Sequence, residues 1–263
     1  MLKFSANLTM LFNEVDFLAR FERASRAGFK GVEYLFPYEW EKEELADELE
    51  KHGLEQVLHN LPAGDWAAGE RGIACLPERV GEFQEGVELA IEYAKTLRCP
   101  RLNCLVGMTP NEVPPEKIRQ TLVDNLRFAA TALEKENIHF LVEPLNDQDT
   151  PGFYLTHTQD VIQLFKEVAH TNLWLQYDIY HMQIMEGNLT KTILDNLAHI
   201  AHMQVADNPG RHEPGTGEIN YTNLFRSIDE AGYDGWIGCE YNPAGVTEEG
   251  LEWVRPYLKK GGK

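Results

Sequence analysis

Apolar positions along the chain follow two periods. Short hydrophobic runs that close on a polar residue alternate with longer stretches whose apolar residues recur every three or four positions, the patterns of strand and helix. The run His139-Phe140-Leu141-Val142-Glu143-Pro144 shows the first: three apolar residues lead into a carboxylate and then a proline that ends the strand. Similar strands are predicted over residues 4–8, 31–35, 54–61, 101–106, 173–178, 200–206 and 235–240. Between and after them, helical spacing predicts helices over residues 13–28, 40–52, 78–97, 115–136, 157–169, 189–197, 221–231 and 247–258. Gly28 and Gly53 stand where helices stop, and Pro115 stands where one starts.

Strict alternation, with no Pro/Ser/Gly-rich linker between halves, predicts an α/β fold: a single (β/α)8 TIM barrel over residues 1–258 and a frayed tail at 259–263. An open doubly wound sheet would suit the same alternation. No Gly-x-Gly-x-x-Gly follows the first strand and no phosphate-loop signature occurs, so no nucleotide cofactor is expected.

Composition narrows the function. The 42 acidic and 24 basic residues give a net charge of −18, which repels phosphate backbones and anionic membrane, so neither nucleic acid nor membrane is an expected partner. No apolar stretch approaches membrane-spanning length and no signal-like segment opens the chain. The four cysteines, Cys75, Cys99, Cys104 and Cys239, form no C-x-x-C pair and read as reduced core residues of a cytoplasmic protein. A homo-oligomer stays open.

In a barrel the carboxyl ends of the strands share one mouth. Read together they give Asn7, Glu33, His59, Asn103, Glu143, Asp178, Gln204 and Glu240. Three acids crowded at one mouth repel each other unless something positive lies between them. A divalent cation held by Glu143, Asp178, Gln204 and Glu240 would answer this, and an all-oxygen set suits Mg or Mn better than Zn. The alternative is a hydrogen-bonded, water-filled barrel top without metal.

Five segments carry a family resemblance: Phe4 to Leu8 (FSANL), His59 to Gly72 (HNLPAGDWAAGERG), Gln176 to Met182 (QYDIYHM), Gly215 to Tyr221 (GTGEINY) and Gly238 to Tyr241 (GCEY). On them the chain resembles, over nearly its full length, the hydroxypyruvate isomerase family within the larger group of xylose-isomerase-like barrels. Members acting on 2-oxo-tetronate are similar at the barrel ends and differ in the loop after the third strand, so the resemblance favours hydroxypyruvate, a small hydroxy-oxo acid, as substrate. It implies Glu143 and Glu240 as the two proton-transfer residues, one removing a proton to form an enediolate and the other returning one. In related sugar 3-epimerases the seventh strand carries a His ligand, whereas this chain has Gln204; His202 is either a substitute or a hydrogen-bonded core group. His181 resembles a substrate-contacting His of those relatives, or else orients Asp178.

A substrate carboxylate calls for cationic partners, and Arg71 and Arg211 are the candidates, each with a surface ion pair as the ordinary alternative. Trp66, in the glycine-rich loop, is either part of a water-excluding lid or a packing anchor. His59 is expected at the mouth as a substrate neighbour, beside Glu33, without an assigned role. Three functional classes fit the fold: the isomerase, with a 2-oxo-tetronate isomerase or ketose 3-epimerase as its nearest variants; a metal-dependent nuclease for damaged DNA; and a noncatalytic sugar-acid binding barrel. The nuclease would need more His ligands and a basic track than this chain offers.

Overall fold

Eight parallel strands close a barrel in chain order, with β8 pairing back onto β1. They are β1 (Lys3–Asn7), β2 (Gly31–Glu33), β3 (Glu55–Asn60), β4 (Arg101–Cys104), β5 (His139–Val142), β6 (Trp174–Asp178), β7 (Ile200–Val205) and β8 (Trp236–Cys239). The computed structural model describes residues 1–258, and the expected tail 259–263 lies outside the described residues. The outer layer comprises α1 (Ala19–Ala27), α2 (Lys42–His52), α3 (Val80–Leu97), α4 (Pro115–Lys135), α5 (Thr158–Val168), α6 (Ile179–Met185), α7 (Leu189–Asn196), α8 (Tyr221–Glu230) and α9 (Arg255–Leu258).

Successive side chains of a strand face opposite sides, which sorts each strand between the barrel interior and the helix layer. On β5, Phe140 and Val142 join the large core between strands and helices, while Leu141 packs inside the barrel with Val57, Leu58, Trp174, Ala201 and Trp236. That is why β5 reads as a continuous apolar run: both its faces are covered. Above Leu141, Trp174 and Trp236 on the same faces stand Glu143, Asp178 and Glu240.

Three helices depart from the expected spans. Residues 8–18 form turns rather than the start of α1; Phe12 takes a left-handed φ of 58° and its N–H donates to Thr247 Oγ1. The sixth helical segment is two helices, because Asp178 Oδ1 accepts the Tyr180 N–H and starts α6 directly at the strand end, and left-handed Gly187 and Asn188 break the chain before α7. The last segment is a 3-10 turn over Thr247–Trp253 and then the short α9, in which Pro256 has no N–H with which to continue a ladder backward.

Candidate active site

Seven inward-facing side chains ring the mouth: Asn7, Asn60, Asn103, Glu143, Asp178, Gln204 and Glu240, all buried. Amides hold the acids in place. Glu143 Oε2 accepts from Asn103 Nδ2 and from Gln176 Nε2, both at 2.8 Å. Gln176 donates its other hydrogen to Gln204 Oε1 at 2.8 Å, and Gln204 Nε2 donates to Glu240 Oε2 at 2.6 Å. Asn7 Nδ2 donates to the same Glu240 oxygen at 2.8 Å. Glu143 and Glu240 therefore stand three strands apart around the mouth, joined by two glutamine amides.

Burial dominates the electrostatics. It lifts Glu143 well above the ordinary carboxyl range, and the charges of Glu240 and Asp178 lift it further. Glu240 is pushed up to about 8 by burial, against the pull of Arg211 and with Asp178 and Glu33 adding to the rise. Asp178 is likewise raised by burial, with Arg211 opposing. Arg211 Nη2 lies 2.8 Å from Glu240 Oε1 and 3.7 Å from Asp178 Oδ2, with the guanidinium over the Tyr180 ring at 5.1 Å. The loop after β7 bends it inward: Arg211 has φ of 55°, and its N–H donates to Asp207 O.

Of the carboxylate oxygens at the mouth, two lack a protein hydrogen-bond donor among the described residues, Glu143 Oε1 and the buried Asp178 Oδ2. Glu143, Asp178 and His181 bring one ligand atom each within 4.8 Å of one another. An orphaned, fully buried carboxylate oxygen facing a second acid fits a divalent cation. The arrangement differs from the expected four-oxygen set. Gln204 offers its oxygen to Gln176 and its NH2 to carboxylates, and Glu240 is occupied on both oxygens by Arg211, Gln204 and Asn7.

His181 has a defined proton position. Its Nδ1 accepts from the Asn146 backbone N–H at 3.3 Å, a group that can only donate, and the Asn146 side-chain nitrogen lies 2.6 Å away. Burial, reinforced by the Arg211 charge, keeps the ring neutral, so Nε2 carries the hydrogen, 3.5 Å from Asp178 Oδ2. His181 thus presents a donor to the mouth, and the two carboxylates Glu143 and Asp178 are the groups suited to a cation.

His59 must be corrected. It lies on the opposite face of β3, among the helices, edge-on to Tyr38 at 6.2 Å, and Asn60 takes the inward position, accepting from Asn103 at 3.1 Å. The pairing of β2 with β3 skips Val57, and one residue of phase moves a side chain to the other face. His59 is fully buried with neither ring nitrogen hydrogen-bonded, and burial holds it neutral down to about 3 against an ordinary 6.5. The unfolded chain binds a proton there below 6.5 while the folded one does not until about 3, so acid favours unfolding across that window. Between pH 7 and 4.5, His59→Leu should lose about 3 kcal/mol less stability than wild type in urea unfolding. Equal losses in the two proteins would remove His59 from the acid response.

Arg71 and Trp66 form a unit of their own. The guanidinium stacks on the indole at 3.8 Å and donates to Trp66 O and Glu70 O, while Trp66 packs on Phe36 at 5.0 Å. Their loop is pressed onto the end of β4 at Gly72, where φ is 108° and a Cβ would lie 1.8 Å from Leu105 O. Arg71 is engaged with its own loop, whereas Arg211 reaches the acids. His202 sits deeper on β7 against Glu33, as a core group. Sequence reading passed over Asn60, Asn146, Gln176 and Tyr180; the signal for Gln176 is a polar residue two positions before Asp178, on the same face of β6.

A family model described as xylose isomerase-like TIM barrel matches residues 21–257. The chain is 57% identical to hydroxypyruvate isomerase of Escherichia coli, over 98% of this chain and 100% of that one. It is 45% identical to 2-oxo-tetronate isomerase of Cupriavidus necator, over 97% and 98%. Among solved structures, AP endonuclease, family 2, from Brucella melitensis superposes with a TM-score of 0.95 at 46% identity, covering 98% of this chain and 99% of that one. The 3-keto-D-glucoside 4-epimerase of E. coli, at 20% identity, TM-score 0.77 and coverage of 97% and 99%, shares the fold alone. The chain belongs to the hydroxypyruvate isomerase family of xylose isomerase-like TIM barrels.

Proposed function

We propose that the protein is an isomerase that interconverts hydroxypyruvate and 2-hydroxy-3-oxopropanoate. The observation that carries this reading is the pair of buried carboxyls, Glu143 and Glu240, facing one mouth and linked by amides, with burial raising Glu143 well above the ordinary carboxyl range and Glu240 to about 8. Such a pair holds one proton and releases another at ordinary pH. The ionised member takes a proton from C3, leaving an enediolate across C2 and C3. The protonated member delivers a proton to C2, and the C3 hydroxyl proton passes to the oxygen on C2, which leaves an aldehyde at C3. Either carboxyl serves as base in one direction and acid in the other.

Arg211 offers its charge to the substrate carboxylate or the enediolate oxygen, and His181 Nε2–H offers a neutral donor; aimed donors of this kind contribute a few kcal/mol each. A divalent cation held by Glu143 and Asp178 would supply positive charge to the same oxygens. Mg or Mn is the proposed ion, because the free donors are carboxylate oxygens. The loop of Trp66 and Arg71 is proposed to shield the intermediate from water.

The second reading is a 2-oxo-tetronate isomerase, favoured by the 45% identical relative of that name. A nuclease is disfavoured by the net charge of −18. The described residues hold no helix long and apolar enough to cross a membrane, and all four cysteines are buried and unpaired. Their reduced state supports the proposal of a cytoplasmic protein.

Assays on hydroxypyruvate, 2-oxo-tetronate and a ketohexose should give a kcat/KM for hydroxypyruvate higher by about 10-fold or more. A preference for 2-oxo-tetronate would select the second reading, and no turnover of any of the three would remove both. In the same assay, dialysis against a chelator should lower turnover, with recovery on adding Mg or Mn. Full turnover in protein shown by elemental analysis to be metal-free would mean that the two carboxylates work without a cation.

A further inference from the structure

Glu33, fully buried on β2, has no part in the chemistry above. Its Oε2 accepts from Ser5 Oγ at 2.8 Å and stands 2.9 Å from His202 Nε2. Its Oε1 accepts from Gln204 Nε2 at 2.9 Å and from Asn7 Nδ2 at 3.3 Å. Room for this carboxylate exists because β8 carries glycine beside it: a Cβ on Gly238 would lie 2.2 Å from Glu33 Oε1.

An amide NH2 has two hydrogens, and Gln204 directs one to Glu33 and one to Glu240, while its oxygen receives Gln176. Gln176 in turn directs its second hydrogen to Glu143. The chain of amides has a direction, from which both proton carriers take their hydrogen bonds. Reversing Gln204 would set its oxygen against two carboxyl groups. Glu240 alone does not hold that direction, because once it takes up a proton it can donate to a reversed amide. Glu33 does hold it, being confined to accepting: burial raises its pKa, but His202, Gln204 and Ser5 together outweigh burial and keep it below the ordinary value. Asn7 needs no such help, since its oxygen already receives the Thr9 N–H at 3.0 Å.

We propose that Glu33 is a positioning residue for the isomerisation: it fixes the Gln204 amide, and through Gln176 the Glu143 carboxyl, in one arrangement while Glu240 gains and loses its proton. The inference rests on the isomerase reading, and its test has an arm independent of activity. In Glu33→Gln, kcat should fall about 10- to 100-fold with KM within about threefold, the signature of misplaced rather than missing groups. By NMR, the Gln204 side-chain NH2 should exchange slowly with solvent in wild type and quickly in the variant. Ser5→Ala removes a bond from the other Glu33 oxygen while leaving the bonds from Gln204 and Asn7 in place, and should keep kcat within about threefold while lowering the urea midpoint. Should Glu33→Gln fail to fold, Gly238→Ala, which displaces the carboxylate and keeps its charge, is expected to show the same kcat loss and fast exchange. A folded variant with wild-type kcat, or with lowered kcat and a Gln204 amide still protected, overturns the proposal. If wild type turns over none of the oxo acids, the isomerase reading fails, and the exchange arm still decides whether Glu33 fixes the amide.

Discussion

Glu143→Gln is expected to lower hydroxypyruvate turnover about 10²- to 10⁴-fold, the range that one positioned acid or base supplies. The fold should stand. The new amide oxygen can accept from Asn103 and Gln176 as Glu143 Oε2 does, and the new NH2 can donate toward the orphaned Asp178 Oδ2. One acid fewer at a crowded mouth should leave the melting temperature equal or higher. Glu240→Gln should cost as much activity but behave differently in stability, because its NH2 would face Arg211, now 2.8 Å from a carboxylate oxygen. A cation left facing a donor loses a charge-assisted hydrogen bond, and a drop of about 1–3 kcal/mol is expected. Steady-state kinetics with thermal melts on both variants check this, and turnover within about 10-fold of wild type in either one would remove that residue from proton transfer.

The second large effect is expected at Arg211, whose guanidinium lies between Glu240 and Asp178. Arg211→Met should weaken transition-state binding by about 2–5 kcal/mol, a fall in kcat/KM of between about thirtyfold and several thousandfold. Part of it should appear in KM, since a substrate carboxylate loses its cation. Stability should fall less than function. Glu240, already raised to about 8, can take up a proton at neutral pH and so relieve the buried charge that Arg211 leaves unpaired, and burial raises Asp178 in the same direction. Arg211→Lys should fall between, with the charge kept and the planar fork lost. Unchanged kcat/KM in Arg211→Met, measured on hydroxypyruvate, would mean that the guanidinium serves only the fold.

Much of this architecture was legible in the chain. Short apolar runs, each followed by a helical period, could satisfy both faces of their strands only inside a closed or covered parallel sheet, so the α/β class followed from pattern alone, and eight unbroken repeats favoured the barrel over an open sheet. Closure of the barrel then required Glu143, Asp178 and Glu240 to meet, which made the convergence of acids, and the expectation of something positive among them, readable before any coordinates. Arg211 illustrates the limit. As a loop arginine it stood level with Arg71 in the sequence, and only the left-handed turn at its own backbone sends it to the acids while Arg71 lies down on Trp66.

What the sequence by itself determined was the order of strands and helices and the set of polar residues near the strand ends, because these depend on local period and on burial averaged over several positions. Only the tertiary structure decided which face each residue took and which partner each polar atom met. A single skipped residue opposite β2 turns His59 outward and Asn60 inward. The direction of the Gln204 amide and the proton on His181 depend on groups brought together from β2, β6, β8 and the Asn146 loop. A hydrogen bond is directional and acts over about 3 Å, so its partners are settled by packing and not by spacing along the chain.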